Sequence, residues 1–143
     1  MQSPPAALKK ALVSEGFEIY RTGPNLISLA DRVRDNLLMD SGVSVVQGEG
    51  LAVRLILRAQ ATDFPGDDAD GLFARARGLA PPLSDKGYRE VSACAVPIKD
   101  PSDKERTLDT WYEVTYERDV GGEPELFAEL RFVFSLSRVA ARP

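Results

Sequence analysis

Histidine is absent from this 143-residue chain, and cysteine occurs once. Without histidine there is no imidazole base, no residue that titrates near neutrality unperturbed, and no zinc site of the common kind. Hydrolysis by a Ser-His pair is excluded. The single Cys94 rules out an internal disulfide and a Cys-rich metal site. Between Ala93 and Ala95 it is expected to be a buried, unreactive thiol inside a strand. No run of about eighteen apolar residues occurs, so no bilayer-crossing helix is expected. Met1 to Lys10 carries no apolar core behind a basic start, so no secretory leader is expected either. Together these absences point to a cytoplasmic chain with no membrane insertion.

What is present is ordinary for a folded domain. Apolar residues make up 43% and charged residues 28%, a balance that favours a packed core over disorder. A chain of this length suits a single domain, 1–143, burying roughly two thirds of its unfolded surface. The net charge of −4 argues against a nucleic-acid backbone or an anionic membrane as partner. Thirteen arginines against five lysines fit the codon usage of a GC-rich bacterial genome.

The clearest pattern lies near the end. Tyr112, Val114 and Tyr116 alternate with Trp111, Glu113, Thr115 and Glu117. After Asp119-Val120-Gly121-Gly122-Glu123-Pro124, the residues Ala128, Leu130, Phe132, Phe134 and Leu136 alternate with Glu129, Arg131, Val133, Ser135 and Ser137. Strand side chains point to opposite faces in turn, so this predicts a closing hairpin over Thr110 to Val139 with one apolar face. Its other face carries Trp111, Glu113, Glu129, Arg131 and Val133.

Earlier, Ser3-Pro4-Pro5 predicts a capped helix over Ala6 to Glu15, stopped by Gly16. Phe17 to Tyr20 reads as a strand and Thr22 to Asn25 as a turn. Leu26, Leu29, Ala30, Val33 and Leu37 recur at helical spacing and predict a helix ended by Gly42. The competing pattern is a hairpin of Leu26 to Leu29 against Phe17 to Tyr20, with a new strand starting at Asn36. Val43 to Val46 is a strand, Gln47 to Gly50 a turn, and Leu51 to Thr62 a strand by strict alternation. Asp68 to Leu79 predicts a helix with acidic residues at its start and Pro81-Pro82 after its end. Tyr88 to Ile98 is a strand, followed by a solvated loop, Lys99 to Arg106.

Helices set apart from hairpin-connected strands define an α+β class. The expected fold is a mainly antiparallel, curved sheet of five to six strands, with two to three helices packed on it, ending in a three-strand meander. This layout is similar to that of secretion-chaperone-like domains, in which helices flank a curved antiparallel sheet that often dimerises. The chain shows no pattern for a final helix.

Asp67-Asp68-Ala69-Asp70-Gly71 suggests a calcium loop, but its twelfth position is Arg77, where a bidentate Glu is required. Helix capping accounts for these aspartates better. Gly48 and Gly50, and the pair Gly121-Gly122, belong to turns that open no phosphate-binding helix. Arg54 and Arg58 share a strand face about 13 Å apart, too far to clamp one phosphate. They suit either an acidic partner or ion pairs with Glu113, Glu117 and Glu129, while Glu113 or Glu117 also suits a cross-strand pair with Arg131. Trp111, a large aromatic on a polar face, packs under a helix or anchors a partner.

No cofactor, no metal and no catalytic residue is expected, and an enzyme is the less favoured reading. The favoured one is a non-catalytic bacterial interaction module, an adaptor, regulator or secretion-chaperone-like domain. It binds a protein partner, as a homodimer, through Trp111, Glu113, Glu129, Arg131, Val133, Arg54 and Arg58. The alternative is a small-ligand-binding domain or small enzyme, with Tyr112, Tyr116, Arg54 and Glu129 around a cavity between helices and sheet.

Overall fold

Alternation of apolar and polar residues forms most of the strands, and the computed structural model describes them within residues 5–143. The elements run α1 (Pro5–Ser14), β1 (Ile19–Gly23), β2 (Leu26–Arg34), β3 (Leu37–Gln47) and β4 (Leu51–Gln60). A 3-10 turn (Ala61–Asp63) follows, then α2 (Ala69–Arg77), α3 (Pro81–Ser84), β5 (Arg89–Asp100), β6 (Asp103–Val120) and α4 (Glu123–Phe134). The six strands form one antiparallel open sheet in the order β1-β2-β3-β4-β6-β5, an α+β fold as expected. Its meander is the up-and-down run from β1 to β4. The expected caps Ser3 and Pro4 lie outside the described residues.

By its contacts the chain gathers into two compact units. The first is the chain up to Leu55 with Glu117–Leu136; the second is Ile56–Tyr116 with Ser137–Pro143. In the first, Leu8 and Leu12 of α1 and Leu126, Leu130 and Val133 of α4 are buried with Ile27, Leu29, Val43, Val45, Val53 and Leu55 of the strands. Phe17 adds an aromatic cluster, its ring centroid 6.4 Å from Phe127 and 6.1 Å from Phe134. In the second, Leu57, Ala59, Phe64, Leu72, Ala76, Leu83, Tyr88, Val114 and Tyr116 are buried. Phe73 of α2 meets Tyr112 edge to face at 5.0 Å.

Two expected elements change type. The segment from Leu26 to Asp40 is not a helix but a hairpin, with Ile27 opposite Val45 and Arg32 opposite Leu38. Ile27 decides it. Helical spacing sets Ile27 off the stripe, yet it is buried with Leu29, while Val33 and Leu37 are exposed. Gly42 does not stop a helix; with φ at 78° it sits where the register of β2 and β3 shifts. Ser41 secures that irregularity, its hydroxyl donating to the Leu29 carbonyl at 2.7 Å and accepting from the Val43 amide at 3.0 Å.

The second correction is α4, where a returning strand was expected over Ala128 to Leu136. Leu126, Glu129, Leu130 and Val133 are its buried residues, spaced i, i+3, i+4 and i+7 as one helical stripe. A glutamate in that stripe hides the period, and the phenylalanines at 132 and 134 mimic alternation. Pro124 in the first turn, Glu123 and Glu125 beside it and Arg131 in the last turn all fit a helix and its dipole. The side chain of Glu125 also accepts from the Gly121 amide at 3.1 Å.

Two smaller corrections concern the last hairpin. Lys99 to Arg106 is not a loop: β5 and β6 continue to a turn at Pro101-Ser102, where Asp100 accepts from the Ser102 amide at 2.9 Å. That bond, with one from the Ser102 hydroxyl at 2.8 Å, holds the Asp100 carboxyl below the usual range. Cys94 is exposed, not buried, because β5 is an edge strand with no cover over its first residues.

Candidate interaction surface

In the second unit, β4 and β6 bring Arg58, Trp111 and Glu113 together. Alternation turns Leu57 and Ala59 into the core and leaves Arg58 half-buried on the opposite face. The Arg58 guanidinium lies 3.8 Å from the centre of the Trp111 ring, in range for a cation–π contact. It also donates to Glu113, through Nε at 2.9 Å and Nη2 at 2.7 Å. The indole Nε1 of Trp111 donates to Asp109 Oδ2 at 3.1 Å. Asp109 accepts in turn from the Thr62 amide and hydroxyl, both at 3.1 Å. The result is a planar cation layered on an aromatic ring and fixed from both sides.

The same alternation operates in the first unit, where Arg54 of β4 meets Glu117 of β6. Its Nε and Nη2 donate to one carboxylate oxygen at 3.0 and 2.8 Å. Arg54 and Arg58 thus pair with two of the three carboxylates expected for them, and the third, Glu129, meets Arg118.

The expected single face does not form, because it required Ala128 to Leu136 to be a strand. Glu129, Arg131 and Val133 lie on α4 instead. Val133 is fully buried, and the Glu129 side chain is 6% exposed with Arg118 Nη1 at 3.0 Å. Neither can be presented to a partner; both hold α4 in place. Arg131 is exposed, its Nη2 donating to the Glu15 carbonyl at 3.4 Å and its guanidinium 5.6 Å from the Phe17 ring.

The four groups proposed for a ligand cavity are divided between the two units. Tyr112 meets Phe73 edge to face, and the Tyr116 hydroxyl donates to Glu90 Oε1 at 3.4 Å, both within the second unit. Arg54 and Glu129 belong to the first and hold Glu117 and Arg118. A depression of about 390 Å³ does exist in the first unit, around the β3–β4 turn. Glu49, Glu117 and Asp119 line it, none of them among the residues expected to form a cavity.

Arg77 and Glu90 form a further pair, joined by two bonds of 2.9 Å between α2 and β5. The bond from Arg77 holds the Glu90 carboxyl below the usual range. Burial, reinforced by the Glu90 charge, pushes the Tyr116 phenol up. Asp68 is an N-cap, accepting from the Gly71 amide at 2.8 Å, and Asp67 pairs with Arg75. Asp68 thus caps α2, as expected of it, and Asp67 neutralises an arginine of the same helix. No helix of the described residues is long and apolar enough to cross a membrane. No family model, curated protein sequence or solved structure matches the chain.

Proposed function

We propose that this chain is a non-catalytic protein-interaction module, an adaptor, regulator or secretion-chaperone-like domain. It works in the bacterial cytoplasm as a homodimer and binds a protein partner through a sheet face. The observation that carries the reading is the layered group Arg58, Trp111 and Glu113 on the half-exposed face of β4 and β6. Tryptophan and arginine dominate the energetics of protein interfaces because both offer large, preorganised contact area. Here each is held by bonds within the chain, so little conformational freedom remains to be lost on binding.

Trp111 is the only tryptophan, so its fluorescence reports on this face alone. Trp111→Ala and Arg58→Ala are compared with the parent chain as baits in extracts of the source organism. A captured protein is then titrated in purified form against the parent chain. The expected result is a shift of the Trp111 emission on titration, with binding weakened at least tenfold in both variants while their circular dichroism is unchanged. Equal binding by correctly folded variants, with no change in emission, overturns the reading.

A further inference from the structure

We infer that β5 is the edge through which two copies of this chain pair, antiparallel, about a two-fold axis centred on Ala93. The inference rests on the self-association in the reading above and assigns it a surface. Strand β5 ends the sheet, with β6 as its neighbour on one side. It has 12 residues, about 40 Å of extended chain. Its first seven, Arg89 to Ala95, are exposed, and Val91 is an exposed large apolar residue among them.

An edge strand leaves alternate backbone N–H and C=O groups open, and natural sheets protect such edges with charge, bulges or cover. From Val91 to Ile98 this edge carries no charge at all. Proline is tolerated in a strand where its missing N–H faces away from the neighbour. That puts the backbone groups in step with Pro97, those of Val91, Ala93 and Ala95, on the open side.

The charges at the two ends and the length of strand paired set the register. An axis perpendicular to the sheet must pass through a residue that faces itself, because residues directly opposite share a face. Centring on Cys94 sets Arg89 against the second copy's Lys99. Centring on Ala95 sets Glu90 against its Asp100. Like charges directly opposite are unfavourable in a sheet. Of the centres within the exposed stretch, Ala93 gives the longest pairing that avoids both: Arg89 meets Pro97, Glu90 meets Val96, Val91 meets Ala95 and Ser92 meets Cys94. The edge accepts an uncharged extended strand of small side chains, and β5 of a second copy is such a strand, already extended and exposed.

Two variants of the full chain test this. Ala93→Pro removes an N–H that faces solvent in the monomer but is central to the pair. Ser92→Cys places a thiol opposite the second copy's Cys94 at a non-hydrogen-bonded position, where the Cα atoms lie about 4.5 Å apart, within the roughly 4.4–6.8 Å that a disulfide spans. Sedimentation of the reduced parent chain is expected to show a dimer, and Ala93→Pro a monomer with unchanged circular dichroism. Under mild oxidation Ser92→Cys is expected to give a covalent dimer, and the parent chain, with Cys94 alone, none. A monomeric parent chain overturns the inference. So does a dimer that survives in folded Ala93→Pro, which would leave self-association standing on another surface. Should Ala93→Pro fail to fold, the oxidation decides: a covalent dimer of the parent chain, or none from Ser92→Cys, overturns the register and with it the pairing.

Discussion

Two carboxylate–arginine pairs, one in each unit, show how burial changes what an ion pair does. In the first unit Glu129 sits inside the buried stripe of α4 and meets Arg118 of β6. In the second, Glu113 and Arg58 lie on a partly exposed strand face, their side chains 13% and 23% accessible. The bond lengths are similar, at 3.0 and 2.7 Å. What differs is the state left behind when one partner is removed. A carboxylate inside a helix stripe that loses its cation keeps its desolvation penalty, whereas one on an open strand face regains part of its water. The first pair therefore positions a helix, and the second can be broken at smaller cost to the fold.

Removing the cation from each pair separates the two roles, and the larger effect belongs to the buried one. Arg118→Ala is expected to destabilise the chain by about 3 kcal/mol, the low end for breaking a buried pair because Arg118 itself is partly exposed. Urea unfolding followed by circular dichroism measures it. Replacing both partners together, Arg118→Met with Glu129→Leu, is expected to recover most of that loss. If the double variant is no better than Arg118→Ala, Glu129 is held chiefly by groups other than Arg118, and the contrast between the pairs fails.

The same operation on the half-exposed pair is expected to cost far less. Arg58→Ala removes one ion pair and one contact with the Trp111 ring, together about 1 kcal/mol. The Trp111 emission is expected to move to longer wavelength as its covered face meets water. Arg58→Lys keeps the charge but not the flat stacking surface, so the emission should still move. A loss near that of Arg118→Ala would place this face with the structural parts of the molecule.

The same contrast explains which parts of the fold could be read from the sequence. Strand β4 was legible because its two faces differ sharply: Leu51, Val53, Leu55 and Leu57 are buried, while Arg54 and Arg58 are not. Helix α2 was legible from Asp68 and the stripe of Leu72 and Ala76. Helix α4 was not, since its stripe contains Glu129, and a charge is read as solvent-facing unless the distant Arg118 is known to meet it. The hairpin of β2 and β3 was obscured for a related reason. Its outer half exposes Val33, Leu37, Leu38 and Met39, so apolar character there does not mark burial. Of the candidate surface, Arg58, Trp111 and Glu113 came from strand alternation and stand together. Glu129, Arg131 and Val133 were assigned to it through an element that does not exist. Asp109, which orients Trp111, escaped notice because a lone aspartate at the start of an apolar alternation carries no signal.

The smallest effects are expected at a third pair, Arg77 with Glu90, to which Tyr116 is joined, where burial and exposure meet in one cluster. Glu90 has its carboxyl held below the usual range by Arg77. A lowered carboxylate contributes stability that is present above its unfolded value, about 4.3, and is lost as pH falls through the folded value. Because both side chains are more than a third exposed, Arg77→Ala is expected to cost under about 1 kcal/mol at neutral pH, with the difference vanishing in acid. Tyr116 behaves in the opposite direction, because burial raises its phenol. The folded state keeps its proton where the unfolded state loses it, so stability is full below about pH 10 and falls as pH rises through the folded value. Tyr116→Phe removes the titrating group and only a long bond of 3.4 Å. It is therefore expected to change neutral stability by about 0.5 kcal/mol or less and to flatten the alkaline limb of the melting temperature against pH. An alkaline limb identical to that of the parent chain would mean that the phenol ionises as freely folded as unfolded, and that this part of the second core admits water.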